Sequence, residues 1–143
     1  MVEFDIPPGC KTGSALLSGG IGHELPDGTL DDVSFILQEV PHERFTRVQD
    51  DLVLEIQIPW AEIFRSQPRK VYVRGIDGED IFVFVDYSRD KNLIGSLSIR
   101  GAGMPIRERG KLVGRGNLIV NWEIIHAPTK ISSIFWRFFR REA

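Results

Sequence analysis

The stretch "VPHERFTRVQDDL", residues 40–52, decides how this chain is read. It gathers His42, Arg44, Arg47, Asp50 and Asp51 around a single aromatic residue, Phe45. His and Asp are residue types that move protons in catalysis. No Ser or Cys nucleophile falls inside the stretch, however. Adjacent aspartates on an extended backbone also point to opposite faces. The segment therefore reads as an architectural corner. Phe45 anchors it in a core, while Arg47 and the aspartates satisfy backbone groups or form a partly screened ion pair.

Period-two patterning surrounds this corner. Downstream, "DLVLEIQI" puts Leu52, Leu54, Ile56 and Ile58 on one face and Val53, Glu55 and Gln57 on the other, the mark of a half-buried strand. Upstream, "DVSFILQE" places Val33, Phe35 and Leu37 together. Near the other end, "NLIVNWEII" aligns Leu118, Val120, Trp122 and Ile124. "KVYVRGI" and "DIFVFVD" are shorter runs joined through Asp77-Gly78, a strong hairpin signal. "DIFVFVD" is apolar on both faces, so it predicts a strand covered on both sides or one near a contact. Many short strands with frequent Gly and Pro turns predict an all-β sandwich. Two stretches break the period. "PWAEIFRSQ" (59–67) predicts a short helix opened by Pro59. "TKISSIFWRFFRREA" spaces Ile131, Ile134, Phe135 and Phe138 at helical intervals behind a Ser cap.

Composition excludes several classes. The 143 residues are 42% hydrophobic and 27% charged, which is globular rather than disordered. A net charge of −2 supplies no general attraction to nucleic acid or to an acidic membrane. No apolar run is long enough to span a bilayer, and "MVEFDIPPG" is not a secretory leader. Cys10 is the one cysteine, so no internal disulfide or cysteine-based metal site can form, and a reducing, cytoplasmic compartment fits. His23 and His126 lack metal-ligand spacing. "GSALLSGGIG" lacks the Gly-Lys-Ser/Thr ending of a phosphate loop and reads as a tight turn between strands. Neither a metal nor an organic cofactor is expected.

The order of the punctuation carries a resemblance. "IPPGCKTGSALLSGGIG", "DVSFILQEVPHERFTRVQDDLVLEIQIPWAEIF", "VRGIDGEDI", "IRGAGMP" and "GRGNLIVNWEI" follow one another as five blocks. Together they resemble the C-terminal substrate-binding region of DnaJ-type co-chaperones of the class without a zinc finger. The signature His-x-x-Phe-x-Arg followed by Asp-Leu is its most informative part. Gln49 stands where the family pattern has Gly, which predicts a turn built differently there.

The resemblance implies two small β-sandwich subdomains in series, the first incomplete, followed by a C-terminal dimerisation helix. Residues 1–41 would be the later part of the first sandwich, 42–50 a connector, 51–127 the second sandwich and 128–143 the dimerisation helix. It implies binding of unfolded client polypeptides, with Val33 and Phe35 in the peptide-binding pocket, although the same face equally suits a buried core. A homodimer held by Ile131, Ile134, Phe135 and Phe138 is implied too. Packing of that aromatic, Arg-rich tail on its own sandwich, or on a membrane surface, remains the alternative. The partner would be the seventy-kilodalton heat-shock chaperone, engaged through the full-length protein. The His-Pro-Asp tripeptide of the J domain does not occur in this sequence. No enzymatic reaction is expected. The alternative function is a structural or adaptor β-sandwich that has lost client binding.

Overall fold

The computed structural model describes residues 3–60, 69–87 and 91–126. The described elements are ten strands. They are β1 (Ala15–Ser18), β2 (Val33–Ile36), β3 (Phe45–Val48), β4 (Asp51–Pro59), β5 (Arg69–Arg74), β6 (Asp80–Val85), β7 (Ile94–Ile99), β8 (Pro105–Glu108), β9 (Lys111–Arg115) and β10 (Leu118–Ile125). The all-β expectation holds. Of the helix expected at 59–67, Pro59 instead ends β4 and residues 61–67 lie outside the described residues, as does the whole helix expected at 128–143.

Four strands form one mixed sheet in the order β3-β4-β10-β7. β10 runs parallel to β4, with Leu118 opposite Leu52, and antiparallel to β7, with Leu118 opposite Ile99. β3, inside the stretch read as a connector, adds antiparallel to the outer side of β4, with Phe45 opposite Leu54. Alternation then decides the core. Leu52, Leu54, Ile56 and Ile58 of β4 and Leu118, Val120 and Ile124 of β10 point inward and are buried. The β5–β6 hairpin supplies Val71, Val73, Val83 and Val85 to the same cluster, which Phe45 joins from β3. Each such side chain contributes roughly 1.5–3 kcal/mol of burial.

The hairpin turn at Asp77-Gly78 forms as expected, with Gly78 at φ 87°. The expectation that "DIFVFVD" is covered on both sides fails. Val83 and Val85 are buried, but Phe82 and Phe84 are 51% and 57% exposed. A two-stranded layer lying on a larger sheet has an outer face, and these rings occupy it. They cover one another instead, edge to face at 5.5 Å, with the Lys70 ammonium 4.4 Å over the Phe82 ring.

β1 and β2 form a separate two-stranded antiparallel sheet, and β8 and β9 another. A lone two-stranded sheet is marginal in water, so both depend on what they pack against.

Candidate peptide-binding face and the junction that carries it

The register of β1 and β2 sets the candidate site. Leu16 lies opposite Phe35, and Ser18 opposite Val33. Because side chains alternate, Leu16, Val33 and Phe35 share one face and are half-buried there. The structure thus brings the two sequence-assigned residues, Val33 and Phe35, together. The opposite face carries Leu17 and Ile36, 73% and 74% exposed. Thr12 ties the end of this sheet down, its hydroxyl accepting from the Glu39 amide at 2.9 Å. The tail residues Ile131, Ile134, Phe135 and Phe138 lie outside the described residues.

One site residue escaped the sequence reading. Phe4 stacks on Phe35 with ring centroids 4.5 Å apart and planes 30° from parallel. The only hint in sequence is the brief alternation of Phe4 and Ile6 before Pro7-Pro8.

Beneath this sheet lies a junction where the scattered motifs meet. Arg47 of β3 is its centre, with only 13% of its side chain exposed. Its Nε donates to the Gln49 carbonyl at 2.7 Å. Its Nη1 donates to the Cys10 carbonyl at 2.8 Å and to Glu39 Oε1 at 2.7 Å. Lys11 Nζ approaches Asp50 Oδ1 at 2.9 Å, and Arg47 Nη2 approaches the same oxygen at 4.0 Å. These last two contacts are ionic rather than aligned hydrogen bonds, since Arg47 Nη2 and Asp50 Oδ1 are buried without an aligned partner. Arg47 therefore satisfies backbone and pairs with charge at once, the two roles expected of it.

The other blocks close on the same place. Met104 N donates to the Asp50 carbonyl, and Gly116 N to the Met104 carbonyl, both at 2.9 Å. The Asp51 carboxylate accepts from the Asn117 amide at 2.7 Å. Asp50 in the turn and Asp51 at the start of β4 thus face different partners. Gly116 is required because a Cβ there would sit 2.0 Å from the Asp50 carbonyl oxygen. Arg115 forks onto the Gly103 carbonyl through Nε and Nη2 and reaches Asp77 Oδ2 at 3.0 Å. That guanidinium, with help from the Glu79 amide, holds the Asp77 carboxyl below its usual range. Arg107 Nε donates to the Pro8 carbonyl at 2.9 Å, linking β8 to the first block.

Two residues of the corner shape its backbone. The first is His42. Its Nδ1 accepts from the amides of Arg44 and Phe45 at 3.0 and 3.3 Å, which is a cap on the turn. The second is Gln49. It adopts φ 57°, the left-handed conformation for which glycine is the usual choice in a two-residue hairpin loop. A non-glycine residue there carries backbone strain.

Among the described residues no group of three or more His, Cys, Asp or Glu could hold a metal ion. An open groove on the solvent side of the four-stranded sheet, about 700 Å³, is lined by Glu55, Gln57, Ile94, Ser96 and Glu123 among others. Its lining is mixed, with Glu55 and Glu123 beside Ile94 and Trp122.

Comparison with known proteins follows the same outline. The family described as DnaJ C terminal domain matches residues 1–126. Protein psi1 of Schizosaccharomyces pombe is 30% identical over 92% of this chain and 33% of its own length. Chaperone protein DnaJ 2 of Aquifex aeolicus is 32% identical over 86% of this chain and 31% of its own. The mitochondrial protein import protein MAS5 of Saccharomyces cerevisiae is 31% identical over 87% of this chain and 29% of its own. The chain thus spans about a third of the length of these curated relatives. The five blocks fold onto one junction, and the family match runs through all of them. This chain belongs to the DnaJ C terminal domain family.

Proposed function

We propose that this chain is the client-holding and dimerising part of a J-domain co-chaperone, working with the seventy-kilodalton heat-shock chaperone through the full-length protein. It would hold non-native polypeptide and catalyse no reaction. One observation carries the reading: the half-buried apolar face of Leu16, Val33 and Phe35 sits on a narrow two-stranded sheet that pairs with no other described strand. Peptide recognition on a sheet uses such features, since backbone bonds at an edge give affinity and adjoining pockets accept side chains. In this reading residues 1–41 and 51–127 are two sandwich units and 42–50 joins them. Residues 128–143 supply a homodimer contact through Ile131, Ile134, Phe135 and Phe138, so that two client faces act together. The cytoplasm is the compartment that suits a single unpaired cysteine.

The deciding experiment is suppression of aggregation of a chemically denatured test protein. The 143-residue chain should delay light scattering by the test protein, and Phe35→Ala should weaken the delay. Full activity retained by Phe35→Ala would refute the pocket. Static light scattering on the chain itself tests the dimer, and a monomer at tens of micromolar would sink that part. An adaptor that keeps the fold without holding clients is the second reading. The Phe4 ring already lying on Phe35 favours it.

A further inference from the structure

We propose that the β8–β9 hairpin docks on an anionic lipid bilayer, with Leu112 and Val113 entering the headgroup region and Arg109 and Lys111 lying against acidic headgroups. This goes beyond client holding and does not depend on it.

The overall charge of −2 gives no such attraction, but the charges are segregated. Residues 100–115 hold five of the 18 Lys and Arg and one carboxylate, Glu108. Two of the five cations are committed to the fold. Arg107 donates to the Pro8 and Gly110 carbonyls, and Arg115 to the Gly103 carbonyl and Asp77. Arg100, Arg109 and Lys111 are exposed, and among the described residues their side chains have no hydrogen-bond or ion-pair partner. Glu108 stands opposite Lys111 in the register without pairing to it, and offsets one of these charges.

A tight turn and a bulge place the apolar part beside these cations. Arg109 and Gly110 take φ 48° and 77°, the two left-handed residues of a two-residue hairpin loop. Ile106 pairs with Gly114 and Arg107 with Leu112, so Val113 is an extra residue without a partner on β8. Such a bulge re-aims side chains. β9 is exposed along its whole length, Leu112 at 53% and Val113 at 57%. Single exposed aliphatic residues are ordinary. Two in succession, next to two unpaired cations, form a patch that calls for a partner.

The shape favours a bilayer over a peptide. A peptide site on a sheet needs pockets for side chains. The open grooves at Glu55–Trp122 and at His42–Leu54 are lined by other elements. Every residue of β9 is exposed, which is the opposite of a recess. A bilayer asks for no pocket, only for cations outside and apolar side chains that can sink beneath them. Near an acidic surface the Arg109 and Lys111 pair contributes roughly 30-fold in binding. Leu112 and Val113 are about half covered already, so burying the rest contributes roughly ten- to hundredfold together. Effects of that size give reversible association at lipid concentrations on the order of millimolar.

The test is co-sedimentation of the whole chain with vesicles of phosphatidylcholine alone or with ~30% phosphatidylserine. The chain should bind the mixed vesicles and not the neutral ones, and salt at about 0.5 M should release it. Arg109→Gln with Lys111→Gln should lower the partition coefficient roughly 30-fold. Leu112→Ser with Val113→Ser should lower it roughly ten- to hundredfold. Leu112→Trp should raise it, since indole favours the membrane interface. Circular dichroism checks the fold of each variant, and if the serine pair unfolds, the glutamine pair and Leu112→Trp decide between them. No binding to mixed vesicles, or equal binding to both kinds, overturns the proposal. Binding that survives both double variants overturns it too, and places the contact elsewhere in the chain, residues 127–143 included. A soluble oligo-glutamate peptide that binds with the same dependence on Leu112 and Val113 would assign the hairpin to an acidic protein and equally overturn it.

Discussion

Replacing Arg47 with Met should loosen the β1–β2 sheet from the rest of the molecule while leaving the main core folded. Methionine keeps much of the side-chain volume but none of the donors. Two of the lost bonds cross to the first segment, at the Cys10 carbonyl and at Glu39 Oε1. The third, to the Gln49 carbonyl, stays within the hairpin of β3 and β4. A hydrogen bond to a charged group contributes about 1.5–3 kcal/mol, and the Cys10 bond, made by a largely buried guanidinium, belongs in that range. The Glu39 carboxylate is 45% exposed, so its share is discounted to about 0.5 kcal/mol. The two crossing bonds together contribute about 2–3.5 kcal/mol. That is roughly a 30- to 350-fold rise in the population with the sheet detached. Native-state hydrogen exchange reads it directly. The Gly13 and Leu37 amides, which bond to Leu37 and Ser14 carbonyls, should exchange faster by that factor. Amides of β4 and β10 should stay slower than these in both proteins, because the core remains folded when the sheet detaches. Less than about threefold acceleration at Gly13 and Leu37, or β4 and β10 amides in the variant exchanging as fast as theirs, would refute the idea that Arg47 is the main tie.

Gln49→Gly should stabilise the protein, because relief of a left-handed non-glycine conformation gains about 1–2 kcal/mol and the freer unfolded chain returns about 0.4–1 kcal/mol of it. Urea denaturation should show a higher midpoint at unchanged slope, and a lower midpoint would mean that the Gln49 side chain matters to the turn. Gly95→Ala should destabilise by about 1–3 kcal/mol, since its Cβ would lie 2.1 Å from Trp122 Cζ2, and a change in tryptophan emission should report the displaced ring. Asp77→Asn should remove a stabilising contribution of about 0.5 kcal/mol from a pair that is partly exposed on both sides. The Asp77 carboxyl is held down in the folded state, so this contribution is complete above the ordinary aspartate value of about 3.9 and is lost as pH falls through the lowered one. Melts of the two proteins at descending pH should therefore converge in acid, and a gap that widens below pH about 4 would contradict the Arg115 pairing.

Much of this architecture is legible in the sequence, for local reasons. Strand side chains alternate because of backbone covalent geometry, so the inward set Leu52, Leu54, Ile56 and Ile58 and its partner set on β10 could be read without coordinates. Asp77-Gly78 marked its hairpin because few residue pairs tolerate the turn. Val33 and Phe35 could be placed on a common face for the same reason. The candidate site was legible only in part. Nothing local says that Phe4 reaches Phe35, since an extended segment without a ladder gives no register to count along.

The sequence by itself determined the strands β2, β4 and β10 with their apolar faces, and the order of the blocks, because each depends on neighbours a few bonds away. Only the tertiary structure decided that those blocks converge. Arg47 reaches back to Cys10, Met104 reaches Asp50, and Asn117 reaches Asp51, across separations for which alternation carries no information. It also decided that Phe82 and Phe84 face outward, because a face is buried only when another layer lies over it. The corner at residues 40–52 looked like chemistry in one dimension. In three it is the place where the motifs tie the β1–β2 sheet to the core, because Gly116 lets two backbones touch and a largely buried guanidinium gathers the carbonyls around it.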